Sequence, residues 1–388
     1  MRMSTAGIHN SALIAMQAQQ TQLSTTQNQI ATGRRVNTPA DDPVASVHIM
    51  ELQRSLQETE QFGTNANMAT SRLNLEESAV ASVGTLLQRV QELAIEANTA
   101  TVGPSDRKLI ATEVRARVGE LMDIANTRDA NGEYLFAGFS TKTQPFSQTG
   151  ATTSYFGDQG SRLLQIGPNQ KVSDSHSGYA VFMNVPQGNG TFVTDLAATN
   201  TGTGVIGAGS VTDLSQWVPG DYQVLNSAAA VVSTGTYTEN GTIAFNGIKV
   251  DLTGMPALND TFTVARSRSE DLFTSLNNLV TTLETGGTTA AQGAQFNSDM
   301  ARSIQQLDQS SDHLLSIRAE IGARLSSLDS AATAREDHQV ELKTTTSQLR
   351  DLDYAEAVTR MNQQLMGLQA AQASYSRIAQ LSLFSYLR

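Results

Sequence analysis

The sequence predicts a mainly α-helical protein, a long antiparallel helical bundle built from the N- and C-terminal segments, with an all-β domain inserted between them. Three observations carry this. Apolar residues recur at helical spacing over long stretches in both halves of the 388-residue chain. Between about residues 139 and 266 the pattern changes to short β-branched runs split by Gly, Asn and Pro. Helical spacing then returns and continues almost to the last residue.

Residues 1–43 form the first segment, an N-terminal helix and hinge. Met16, Leu23 and Ile30 fall seven apart, but Gln20 and Gln27 flank them, so the apolar stripe is too thin to stand alone. Order in this segment is expected to depend on assembly. Over residues 44–138 the bundle's first half follows, with Ala45, Ile49, Leu52, Leu56, Ala66, Leu73, Val80, Leu87, Val90, Ala94 and Ala97 on one side of a very long helix. Gly103-Pro104 closes it, and a second helix is expected from about Pro104 to Arg128, since Pro suits a helix's first turn and not its interior.

Residues 139–266 form the β-rich insert, where Asn240-Gly241 and Asn246-Gly247 mark hairpin turns beside alternating residues. Residues 267–349 return to the bundle through Leu272, Leu276, Leu279 and Leu283, break at Gly286-Gly287, and resume through Ile304, Leu307, Leu314, Ile321, Leu325 and Leu328. Residues 350–388 form a last one-sided helix carrying Val358, Met361, Leu365, Leu368, Tyr375, Ile378 and Leu381, read as an assembly and chaperone face.

Composition narrows the partners. A net charge of -11 argues against nucleic acid or an anionic membrane, both of which demand a basic face. Cysteine is absent, which removes disulfides, thiolate nucleophiles and Cys-type metal sites together. The start lacks the apolar core and small-residue cleavage site of a secretory signal, so cleaved secretion is not expected.

Catalytic chemistry finds little support. His9, His48, His176, His313 and His338 are scattered and form no HExxH pair, and the acidic pairs lie where capping or solvated groups are usual. Residues 202–207, GTGVIG, match a dinucleotide-loop pattern, but no convincing strand precedes them and no helix follows. No catalytic residue, metal or cofactor is expected.

The most informative stretch is residues 30–43, IATGRRVNTPADDP. Gly33 suits the left-handed residue that ends a helix, with Arg34 and Arg35 near its negative end. Asn37, Thr38 and Pro39 make a turn; Asp41 complements the next helix dipole, Asp42 is its N-cap and Pro43 its first residue. This sequence resembles the N-terminal loop signature of the bacterial flagellar axial proteins related to flagellin. Three further stretches agree in order: LQRVQELAIEAN (87–98), SDRKLIATEVRARVGEL (105–121) and RDLDYAEAVTRMNQQLM (350–366). Within that family, RDANGEYLFAGFSTKTQPF (128–146) and the ending RIAQLSLFSYLR resemble the hook-associated proteins of type 3, at the hook-filament junction, more than flagellin.

The resemblance implies a non-enzymatic, extracellular flagellar protein joining the hook-side junction protein (hook-associated protein type 1) to flagellin. It implies self-assembly in a ring and export unfolded by the flagellar type III system, with a chaperone on the C-terminal helix. Subunit contacts would fall on Leu87, Gln88, Arg89, Leu93 and Glu113, and the hinge at 33–43 would turn Arg34 and Arg35 toward acids of a neighbouring copy. Two alternatives stand beside this reading: a flagellin filament subunit with a short variable domain, and a binding module carried by the insert.

Overall fold

The computed structural model describes residues 5–99, 101–217, 222–225, 241–287 and 289–384. Six helices dominate: α1 (Thr5–Thr32), α2 (Pro43–Ala97), α3 (Pro104–Ala125), α4 (Leu272–Thr285), α5 (Ala290–Arg350) and α6 (Tyr354–Phe384). The chain divides into two compact units, one of residues 1–64 with 331–388 and one of residues 65–330. Helices α2 and α5 each contribute to both.

In the first unit α1 packs on α6 in antiparallel sense. Gln19 Nε2 donates to the Gln364 carbonyl at 3.5 Å, while Arg360 donates to Gln29 at 3.4 Å, so the numbering falls along α6 as it rises along α1. Leu23, Thr26 and Ala357 are buried there. Met16 and Ile30 on α1, and Met361, Leu365, Leu368 and Tyr375 on α6, are only half-buried. The thin stripes therefore do find a partner in their own chain, and cover one another incompletely.

In the second unit the helical stripes are used almost throughout, with Ile304 and Leu325 of the predicted residues half-buried. Leu73, Val80, Leu87, Val90, Ala94 and Ala97 of α2 are buried, as are Leu307, Leu314, Ile321 and Leu328 of α5. Gln91 donates to Asp308 at 2.6 Å and Arg318 to Glu77 at 2.8 Å, which again marks antiparallel neighbours. The four leucines of α4 predicted to face inward are buried against α3. Helix α3 stops at Ala125 rather than Arg128: Asn126 and Thr127 close the last turn, and the Arg128 guanidinium stacks on Tyr134 instead.

The insert is antiparallel throughout its described pairs. Hairpins β1 (Phe146–Thr149) with β2 (Thr152–Tyr155) and β3 (Leu163–Gln165) with β4 (Lys171–Ser173) open it. A short π-helical turn, Tyr179–Met183, precedes β5 (Val185–Pro186), β6 (Phe192–Leu196), β7 (Val205–Ile206) and β8 (Ser210–Val211). Strands β9 (Tyr222–Leu225), β10 (Gly241–Phe245), β11 (Ile248–Thr253), β12 (Thr261–Arg266) and β13 (Ser269–Glu270) follow, β12 lying between β6 and β9, and β13 pairing with β5. Asn246 and Gly247, with φ of 45° and 72°, make the predicted tight turn between β10 and β11. The other predicted turn begins at Asn240, outside the described residues.

Two apolar clusters anchor the insert. Phe192, Ile248, Val250, Leu252, Phe262 and Val264 fill the space between its sheets. Nearer the helices, Phe136, Phe146 and Phe182 meet edge to face at centroid distances of 5.1 and 5.4 Å, with Phe273 of α4 beside them. Such T-shaped contacts put a ring's positive edge on its neighbour's negative face.

Candidate assembly joint

The hinge at 33–43 does not stand alone; the segment that links α5 to α6 is bound to it. Gly33 takes φ +69°, and a side chain placed there would reach within 2.9 Å of the Tyr354 hydroxyl. The Arg35 amide donates to the Arg350 carbonyl at 2.7 Å and the Leu352 amide to the Gly33 carbonyl at 3.0 Å. Arg34 and Asp351 thus sit opposite each other as a one-rung antiparallel bridge. Under it Val36, Ala45 and Ile49 form a small apolar cluster with Leu349.

The two acids of the hinge have separate tasks. One oxygen of Asp41 accepts from the amides of Asn37 and Thr38 at 3.0 and 2.8 Å and from the Thr38 hydroxyl at 3.1 Å, closing the turn that contains Pro39. Those bonds, the Thr38 amide foremost, hold its carboxyl below the usual range. Asp42 accepts from the Ala45 amide at 3.0 Å, so it caps α2 with Pro43 as the first helical residue. That bond, with help from Arg35, keeps its carboxyl low as well.

The two arginines divide. Arg35 pairs with Asp42 at 3.1 Å and donates to the Leu349 carbonyl at 2.7 Å, near the C-terminal end of α5. Its charge thus has a partner within its own chain, while the side chain stays 43% exposed. Arg34 makes no ion pair or side-chain hydrogen bond among the described residues. Across the bridge the Ser347 hydroxyl, the Arg350 guanidinium and the nearby charge of Arg34 hold the Asp351 carboxyl low. Asp353 then caps α6 through the amides of Ala355 and Glu356 at 2.9 and 3.2 Å.

The expected contact residues split in the same way. Leu87 and Leu93 are buried in their own subunit, so neither is offered to a partner, which corrects that part of the reading. Both belong to the inward stripe of α2; the motif that suggested contact runs around the whole helix. Gln88 is exposed. Arg89 reaches Glu92 at 3.1 Å and Glu113 at 3.0 Å, clasping α2 to α3 at the surface, and the Glu92 and Glu113 carboxylates raise its pKa. On α6 Val358 is exposed, while the side chains of Ile378 and Leu381 lie outside the described residues.

The glycine run at 202–207 has no phosphate-cradle geometry. The amides of Thr201, just before it, and of Gly202, its first residue, already donate to the buried Asp260 carboxylate at 2.8 and 3.0 Å, and β8 rather than a helix follows β7. A feature not foreseen is a charged cluster in the second unit. Arg72 of α2, 6% exposed at its side chain, meets Asp129 at 2.5 Å and Asp174 at 3.2 Å, and Arg162 meets Asp174 at 2.5 Å. These residues are remote in sequence, and only the apolar content of α2, which leaves Arg72 between Ala69 and Leu73, hinted at it.

The family models for the bacterial flagellin N-terminal and C-terminal helical regions match residues 3–141 and 304–387. Flagellar hook-associated protein 3 of Salmonella typhimurium is 25% identical over 388 residues, covering 100% of both chains. The crystal structure of FlgL from Xanthomonas campestris is 35% identical, with 76% of this chain and 99% of that one covered and a TM-score of 0.71. The crystal structure of flagellar hook-associated protein 3 from Legionella pneumophila is 30% identical, with 78% and 98% covered and a TM-score of 0.74. With the capped joint, both helical ends and the β insert all inside the matched length, the chain belongs to the flagellin family, in its hook-associated protein 3 (FlgL) group.

Proposed function

We propose that this protein is a non-enzymatic structural subunit of the bacterial flagellum, joining the hook-side junction protein, hook-associated protein type 1, to the first turns of flagellin. The observation that carries the reading is likeness to hook-associated protein 3 along the entire chain, insert included, rather than at the helical ends alone. Repeated copies meet through unlike surfaces and so build a ring. The incompletely covered faces of α1 and α6 are the packing faces, with Val358, Met361, Leu365 and Leu368 on one of them, and the order of both helices depends on assembly. Arg34, which sits opposite Asp351 but makes no side-chain ion pair or hydrogen bond among the described residues, faces an acid of a neighbouring copy. Gln88 and the Arg89-Glu113 clasp lie on a second contact surface. Export follows the flagellar type III route without a cleaved signal, a chaperone holding α6 until delivery.

Because the chain has no cysteine, one engineered thiol reports its place without background. Leu258→Cys, in an exposed loop of the insert, is labelled on intact motile cells. A single spot at each filament base is expected. Label along the filament would move the protein to the flagellin alternative.

A further inference from the structure

Where the insert meets the helices, one buried histidine sits between two carboxylates. His176 is 7% exposed and follows β4. Its Nδ1 lies 2.8 Å from Glu76 Oε1 of α2, and its Nε2 lies 3.1 Å from Glu320 Oε2 of α5. Its own backbone amide donates to the same Glu76 oxygen at 3.0 Å. A neutral imidazole carries one N–H and one lone pair, and a lone pair aimed at a carboxylate is repelled. With both carboxylates ionised, only the imidazolium, with two donors, satisfies the two together.

We infer that His176 is a proton-operated latch, which fastens the entry segment of the β insert to α2 and α5 when the ring is charged and releases one of its two bonds when it is not.

The surrounding charges fit a cation at this place. From α2 come Glu76, fully buried, and Arg72 one turn earlier; from α5 come Glu320 and Arg324, the latter 3.4 Å from the Glu320 oxygen that His176 uses. On the insert side Asp174 lies two residues before His176 and is engaged by Arg72 and Arg162, whose neighbours Asp129 and Glu133 complete that cluster. His313 of α5 touches the same segment through the Ala180 carbonyl at 2.8 Å, a bond a neutral ring can make. Burial and the charge of Arg324 work against protonation of His176; the Glu76 hydrogen bond and charge, with Glu320, outweigh them and raise its pKa. The sign follows. A raised folded-state value gives stabilisation that is complete below the ordinary histidine value, about 6.5, and is lost as pH rises through the folded value.

The test uses the full chain, with ring-proton NMR of His176 and amide exchange at residues 174–178 from about pH 5.5 to about pH 9, corrected for the intrinsic rate. His176 is expected to titrate above the unperturbed histidine value, and protection of the segment to fall several-fold across its titration. His176→Gln should remove that fall. Glu320→Gln, at a carboxylate 55% exposed, should lower the His176 pKa and weaken the dependence, which keeps the test decisive if His176→Gln does not fold. Titration at or below about 6.5, or protection that does not change with pH in the natural chain, would overturn the latch.

Discussion

The two compact units use the same one-sided helices to opposite ends. In residues 65–330 the stripes of α2 and α4 are buried throughout and that of α5 is buried except at the half-buried Ile304 and Leu325, and Phe136, Phe146, Phe182 and Phe273 form a buried aromatic cluster. In residues 1–64 with 331–388 the stripe of α6 stays half-covered by α1, and Val44, Val47 and Met50 of α2 are exposed. One unit holds itself together through apolar area removed from water. The other is fixed chiefly by directed bonds at the joint, through caps, a one-rung bridge and an arginine on a helix end. Apolar area left uncovered in a monomer is free energy still available to an assembly, roughly 25 cal/mol for each Å² later buried. On the proposed function, the half-covered α6 face is where that free energy would be drawn.

The contrast can be broken most severely from the core. Phe182→Ala removes a fully buried ring, and a loss of about 3–5 kcal/mol of stability is expected by chemical denaturation. A loss as small as that of a surface change would mean that the aromatic cluster does not hold the second unit. Leu365→Asp, on the half-covered α6 face, should cost about 1–2 kcal/mol in the isolated chain yet abolish incorporation into flagella. If the isolated chain loses as much as with Phe182→Ala, α6 is core and not an assembly face.

At the joint the effects are smaller. Asp42→Ala deletes the α2 cap and the Arg35 partner, and the melting temperature of the purified protein should drop by about 2–4 °C. Acid probes the same bonds. Asp41, Asp42 and Asp351 all have lowered carboxyl values, so their contribution is present above about pH 4 and is lost as pH falls through the folded values. Amide exchange at 35–38 and 350–352 should accelerate there, relative to intrinsic rates, before the second unit's core opens. The smallest effect on the isolated chain belongs to Arg34→Glu, within about 0.5 kcal/mol, whereas filament attachment in cells should fail. Normal attachment would remove Arg34 from the contact surface. Arg35→Glu should instead destabilise the joint itself.

Much of this could be read from sequence because it is local. A helix stripe, the Asn246-Gly247 turn, the Gly33 stop and the Asp42-Pro43 start each depend on residues within a few positions of one another. Leu87 shows the limit of motif reading. Its place in the inward stripe was visible, yet its motif also suggested contact, and burial decides for the stripe. What sequence could not supply was pairing at long range: Arg35 with the end of α5, Arg34 opposite Asp351, and the gathering of Glu76, His176 and Glu320. Each group alone looks like an ordinary surface charge, and nothing in its neighbourhood along the chain reveals its partner.

The bridge at the joint has a consequence for the order in which the molecule can form. Arg35 and its carbonyl acceptor on Leu349 are 314 residues apart, so their bond closes a loop embracing most of the polypeptide. The entropy of such closure rises only slowly with length, about 0.6 kcal/mol per doubling, so the distance is a matter of sequence in time more than of cost. The cap of α2 and the cap of α6 can each form from neighbours, but the rung between Arg34 and Asp351 waits until both distant segments are present and helical. A chain made from its N-terminus would hold the hinge half-made until the segment around residues 349–352 is present.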